Sequence, residues 1–165
     1  MIKTILITGG AGFIGSHLAE SFLARGWQVT VVDNLATGKR GNIPEGAHFI
    51  EADITDAEAV EEIFSRERPR VVNHHAAQTS VRHSSGDPSF DLQVNIGGTL
   101  NLIMSAARHK AEYFIFASTG GAIYGDGVPV PTGESAHCGP ASPYGVAKLG
   151  AEHYLEWAET ALGLP

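Results

Sequence analysis

The sequence is poor in cysteine, in positive charge and in long apolar runs. Cys138 is the single cysteine in 165 residues. No internal disulfide can form from it, and it stands far from any metal-ligand spacing, which points to a cytoplasmic location. Eleven Lys and Arg against 18 Asp and Glu give a net charge of −7. The basic residues are scattered, so the basic face needed to hold nucleic acid or an anionic membrane is missing. No apolar run approaches the roughly 20 residues of a membrane span. Met1 leads almost at once into an apolar strand pattern, which leaves no room for a secretory leader. The length suits one domain with an ordinary core.

What the sequence does have is a glycine cluster in an informative place. Ile5-Leu6-Ile7 is an apolar strand pattern, Ser16 to Arg25 is a helical one, and Thr8-Gly9-Gly10-Ala11-Gly12-Phe13-Ile14-Gly15 joins them. The run fits both G-x-G-x-x-G (Gly10, Gly12, Gly15) and G-x-x-G-x-x-G (Gly9, Gly12, Gly15). The first glycines permit a tight turn with positive φ, Gly12 lets a pyrophosphate approach the backbone, and Gly15 lets the helix pack closely on the sheet. The free N–H groups and the dipole of the helix start favour phosphate. A confirming carboxylate is expected about 20 residues on, at the end of the next strand. Gln28-Val29-Thr30-Val31-Val32 ends in Asp33, which suits a ribose diol and repels a 2′-phosphate, so NAD is expected over NADP. A glycine turn with no nucleotide is the plainer alternative.

Strands alternate with helices along the rest of the chain, as in a parallel sheet. A polar loop covers 34–46, a short strand 48–51 and a helix 56–68, with Thr55 and Glu58 in capping-box spacing. A fourth strand spans 70–74, a loop 76–86 and a long helix 87–110, opened by Asp87-Pro88. A fifth strand covers 113–117, a Gly- and Pro-rich loop 119–142, and a last helix 143–162. The expectation is a doubly wound Rossmann-type α/β fold of five strands and five helices, stopping after the fifth strand and the helix that follows it.

Three features fall beyond the carboxyl ends of these strands. Tyr144 and Lys148 stand at i and i+4 on one helix face. An ammonium near the phenol, joined by a nicotinamide cation, would favour phenolate and so a general base; the plain reading is a surface contact. Ser118 and Thr119 follow the fifth strand and could share a hydrogen bond with a reacting oxygen, or simply make the turn. Nothing equips Ser118 as a nucleophile. Asp53, Gln78 and Asn95 complete the set. Asp53 could meet an adenine amino group or cap the next helix, and Asn95, mid-helix among apolar neighbours, could make a structural hydrogen bond or a water relay. Adjacent His74 and His75 point to opposite faces without a third ligand, so no metal is expected.

Together, Thr8 to Gly15, Asp33-Asn34-Leu35, Asp53-Ile54, His75-Ala76-Ala77, Asn95-x-x-Gly98-Thr99, Ser118-Thr119 with Tyr124-Gly125, and Tyr144-x-x-x-Lys148 resemble the extended short-chain dehydrogenase/reductase family. Within it the chain is most similar to bacterial UDP-glucose 4-epimerases and related NAD-dependent nucleotide-sugar epimerases. The resemblance implies Tyr144 as base, Lys148 as its activator and the anchor of the nicotinamide ribose, and Thr119 or Ser118 as the substrate-hydroxyl partner. It implies NAD held by Gly9, Gly12, Phe13, Ile14, Gly15, Asp33, Asn34, Asp53, Ile54, Ala76, Ala77, Gln78, Asn95, Tyr144 and Lys148. It implies a 4-keto sugar formed from a UDP-hexose and re-reduced on its other face, and a homodimer through helices 87–110 and 143–162. Dehydratases of the family usually carry Asp or Glu after the strand-five hydroxyl, where this chain has Gly120-Gly121-Ala122, so epimerisation ranks above elimination. Another dehydratase or reductase of the family and a non-catalytic nucleotide-binding module are the alternatives. Residues 1–165 then form an NAD-binding Rossmann domain without the family's C-terminal sugar-binding domain, able to bind NAD but not to turn over a sugar at a useful rate.

Overall fold

The computed structural model describes residues 3–165; Met1, on which the reading of a missing leader rests, lies outside them. Five strands, β1 (Thr4–Thr8), β2 (Gln28–Asp33), β3 (His48–Glu51), β4 (Val71–His74) and β5 (Tyr113–Phe116), form one sheet in the order β3-β2-β1-β4-β5. Every pairing in it is parallel. The chain runs outward from β1 on one side and then returns to β4 on the other, so the strand order reverses at β1 and a crevice opens beyond the ends of β1 and β4.

Side chains alternate between two cores. Ile5, Ile7, Val29 and Val31 face α1 (Phe13–Ala24), where Ala19, Leu18 and Phe22 meet them. Leu6, Val32 and Val72 face α2 (Ala57–Glu67) and α5 (Thr99–Arg108), where Phe64, Leu102 and Ile103 fill the space. Phe64 is fully buried; truncating such a residue to Ala costs on the order of 3–5 kcal/mol. α7 (Pro143–Leu162) packs on α5 and brings Ala158 into the same core.

The structure departs from the sequence reading in four places. The expected capping box belongs to Asp56, whose carboxylate accepts from Glu58 N and Ala59 N, while Thr55 donates its hydroxyl to Asp53. The stretch read as loop 76–86 contains α3 (Val81–Gly86), started by Ser80. The single long helix is α4 (Pro88–Leu92), a π-helical segment Gln93–Gly98, and α5. A short α6 (Gly120–Ile123) stands inside the loop after β5. At the chain end Leu164 is buried and the Pro165 carbonyl accepts from Phe114 N at 2.7 Å, beside the outer edge of β5. Among the described residues no helix is long and apolar enough to cross a membrane.

Candidate active site

The glycine turn and the loop after β4 touch. Gly9 has φ +67°, and a Cβ there would lie 2.6 Å from Ala76 N, so neither the conformation nor the space admits a side chain. A Cβ on Gly15 would lie 2.4 Å from Gly9 O and 2.7 Å from Gly10 Cα. Gly15 therefore brings α1 against the turn itself rather than against the sheet. Gly12 is the N-cap of α1, and among the described residues no side chain caps that start, whereas Asp56 caps α2 and Ser142 caps α7. Phe13 and Ile14, the first helical residues, are exposed. An open helix start with its N–H groups unclaimed by side chains fits a pyrophosphate.

Asp33 is buried at the end of β2, with Oδ2 accepting from Ala11 N at 2.9 Å and Oδ1 from Leu35 N at 2.8 Å. Each oxygen keeps a second lone pair, so the carboxylate can still meet a ribose diol. Asn34 donates to Asp53 Oδ2 at 2.8 Å, and Asp53 Oδ1 accepts from Thr55 N and Thr55 Oγ1. The hydrogen bonds to Thr55 and Asn34 outweigh burial and hold the Asp53 carboxyl below its ordinary value. Asp53 thus braces the turn before α2 and the loop after β2. The Ile54 side chain is packed in the core against α5, and its carbonyl accepts from Asn101 Nδ2 of that helix at 3.0 Å.

Asn95 makes the structural hydrogen bonds that its mid-helix position suggested. In the π-helical segment, its Oδ1 accepts from Gln78 N at 3.0 Å and its Nδ2 donates to Gln78 O at 2.9 Å. The Gln78 side chain donates to Asp91 Oδ1 at 2.7 Å. Ala76 and Ala77 sit half-buried between these anchors and the glycine turn. His74 and His75 have separate partners, Thr8 with Thr99 for the first and Asn73 for the second.

On α7, the Tyr144 phenol lies close enough to Thr119 for that hydroxyl to lower its pKa. Ser118 instead donates to Glu152 at the surface, so the structure brings Thr119, and not Ser118, to the phenol. Gly145 permits this, because a Cβ there would lie 2.5 Å from Ala122 O and would push α6 off α7. Lys148 is buried, donates to Ala117 O at 2.9 Å and lies 4.5 Å from the Phe116 ring centroid. Burial brings its pKa down to about 8 against the charges of Asp91 and Glu152, which favour the ammonium. The phenol of Tyr144 lies above the usual tyrosine value, chiefly through burial, with Asp91 adding to the rise and Thr119 opposing it. Lys148, whose ammonium is held by Ala117 O and the Phe116 ring, does not offset that rise.

Sequence reasoning missed Asp91 and Gly145. Asp91 is buried, and among the described residues its Oδ2 is a buried side-chain oxygen without a hydrogen-bond partner. Its spacing of i, i+4 to Asn95 was the available signal.

Residues 5–165 match the NAD dependent epimerase/dehydratase family. The chain belongs to that family. Among solved structures it is similar to the UDP-glucose 4-epimerase of Thermotoga maritima with UDP-glucose, at 48% identity and a TM-score of 0.96, covering 98% of this chain and 52% of that one. It is similar also to the Thermus thermophilus UDP-glucose 4-epimerase in complex with NAD, at 49% identity and a TM-score of 0.94, covering 98% and 52%. A putative UDP-glucose 4-epimerase of Methanocaldococcus jannaschii is 39% identical over 97% of this chain and 52% of its own length. The chain thus spans about half the length of the relatives it matches within the epimerase family.

Proposed function

We propose that this chain is the cofactor-binding and proton-transfer part of an NAD-dependent nucleotide-sugar epimerase acting on UDP-glucose and UDP-galactose in the cytoplasm. The observation that carries the reading is the Tyr144 phenol beside Thr119, with Lys148 buried one turn along α7. The similarity of the chain to epimerases solved with NAD and with UDP-glucose supports the choice of cofactor and substrate. On this reading Tyr144 takes the proton of the sugar 4-hydroxyl and returns it, and Thr119 orients that hydroxyl and stabilises the phenolate by donating to it. Lys148 supplies a fixed positive charge beneath the site. The uncapped start of α1 holds the pyrophosphate, and Asp33 holds the adenosine ribose. NAD, when bound, supplies the redox chemistry at the sugar carbon.

Thermal unfolding with NAD⁺, with NADP⁺ and with neither tests the cofactor assignment. A ligand at ~100 times its dissociation constant adds about 2.7 kcal/mol. NAD⁺ alone is expected to raise the midpoint, and Asp33→Ala to abolish that preference. A midpoint that NAD⁺ leaves unmoved would sink the proposal. Tyr144→Phe is expected to keep the NAD⁺ shift and to lose turnover in a protein that contains these residues. The 165 residues alone, half the length of the relatives, are expected to bind NAD without epimerising UDP-galactose at a full-length rate; a full-length rate would overturn that part. Phe90 and Leu92 on α4, and Val146 and Trp157 on α7, are exposed and support pairing of these helices with a second copy, which sedimentation at micromolar concentration would show as a dimer.

A further inference from the structure

Below the crevice, at the end of β4, one imidazole joins the elements that would hold the cofactor. His74 is 1% exposed. Its Nδ1 is 2.6 Å from Thr8 Oγ1, and its Nε2 is 2.9 Å from Thr99 Oγ1. Thr99 is on α5 and donates its own proton to Asn95 O at 2.7 Å. The Thr99 oxygen must therefore accept from His74, which puts the imidazole proton on Nε2. Nδ1 is then an acceptor and Thr8 the donor. The Thr8 oxygen in turn accepts from two backbone groups, His75 N and Ala76 N, each at 3.2 Å. All the hydrogen bonds in this chain run in one direction, from the backbone after β4, through Thr8 and His74, to the π-helical segment.

The neutral form of the ring is enforced from every side that packs on it. Phe114 and Phe116 of β5 pack against it, the first edge-on and the second tilted, with centroids at 6.1 and 5.7 Å. The Lys148 ammonium of α7 rests on the same Phe116, and His75 follows directly after the ring's strand. Burial, Lys148 and His75 all oppose a second proton. A protonated ring would present a donor at both nitrogens, whereas Thr8 needs an acceptor.

We infer that His74 is a positioning residue for the cofactor side of the site, joining the glycine turn after β1 and the loop after β4 to the π-helical segment through a single neutral imidazole. Thr8 ends the strand that enters the glycine turn, Ala76 abuts Gly9, and Asn95 holds Gln78. Three separate stretches of chain thereby share one spacing. The effect on cofactor binding rests on the NAD reading above; the effect on the backbone does not.

Two readouts keep these apart, amide hydrogen exchange at His75 and Ala76 and the dissociation constant for NAD⁺. His74→Phe keeps a ring but neither nitrogen. It is expected to speed exchange of both amides and to weaken NAD⁺ binding about tenfold, the usual consequence of unmaking a buried hydrogen bond. His74→Asn, with an acceptor near the Nδ1 position, is expected to recover part of both. Should His74→Phe fail to fold, Thr99→Val cuts the outer link and leaves the imidazole in place, and Thr99→Ser is expected to restore it. Unchanged exchange and NAD⁺ binding within twofold of the parent, with only the melting temperature lowered, would make His74 a packing residue and overturn the inference. Faster exchange in His74→Phe, where the parent itself does not bind NAD⁺, would uphold the backbone part of the inference and bring down the cofactor reading.

Discussion

The Lys148 ammonium lies 4.5 Å from the centroid of the Phe116 ring, on a face where an aromatic quadrupole attracts a cation. That contact and the bond to Ala117 O leave the charge buried, with no carboxylate in salt-bridge contact with it among the described residues.

Lys148 is therefore expected to destabilise the fold at neutral pH. Its folded pKa, about 8, lies below the ordinary 10.5. Between these values the unfolded chain binds the extra proton, so this contribution to stability rises with pH from about 8 and is complete near 10.5. Lys148→Met is expected to stabilise the chain at pH 7 by on the order of 1–3 kcal/mol and to flatten the rise. Urea unfolding at pH 7 and pH 10 measures both. A variant less stable than the parent at pH 7 would show that the bond to Ala117 outweighs the burial of charge.

The two hydroxyls after β5 should separate cleanly. Thr119 opposes the upward shift of the Tyr144 phenol, and Ser118 is engaged with Glu152. Thr119→Val is expected to raise the Tyr144 titration further and Ser118→Ala to leave it in place, followed by NMR of ring-labelled tyrosine. Equal shifts in the two variants would remove the distinction.

His74 should make the fold sensitive to acid. Its folded pKa lies well below 6.5, so below about pH 6.5 the unfolded chain takes up a proton that the folded chain refuses. Stability is then lost as the pH falls, by up to ~1.4 kcal/mol per pH unit for one such group. His75 acts in the same direction, through burial first and Lys148 second. His74→Gln is expected to lessen the loss between pH 6.5 and 5; an identical loss in the variant would assign it elsewhere.

Much of this architecture is legible in the residues. The expected bounds of β3 and α7 match the structure. Ser142-Pro143 and Gly163, whose backbone is left-handed at φ +68°, mark the ends of α7 by local chemistry alone. The glycine turn and Asp33 could be placed because their spacing follows from the strand–turn–helix geometry. Less legible were features set by distant partners. The π-helical segment forms where Asn95 reaches across to Gln78, a bond between residues 17 apart in sequence that no periodicity reports. The choice between Ser118 and Thr119 depends on where α6 settles on α7, and that depends on Gly145. The phenol's upward shift comes chiefly from burial under distant elements, and Asp91, which adds to it, is buried in a stretch of mixed polar and apolar residues at 87–95 that does not announce it.

The contact between Gly9 and Ala76 has a further consequence for anyone recombining parts of such domains. The backbone of the loop after β4 occupies the space where a side chain on Gly9 would stand, so the two turns, far apart in sequence, behave as one inherited module. A glycine turn transplanted from another nucleotide-binding domain will seat only if the loop after β4 travels with it. In a library of chimeras, crossovers that part residues 8–15 from residues 74–78 should be the ones lost.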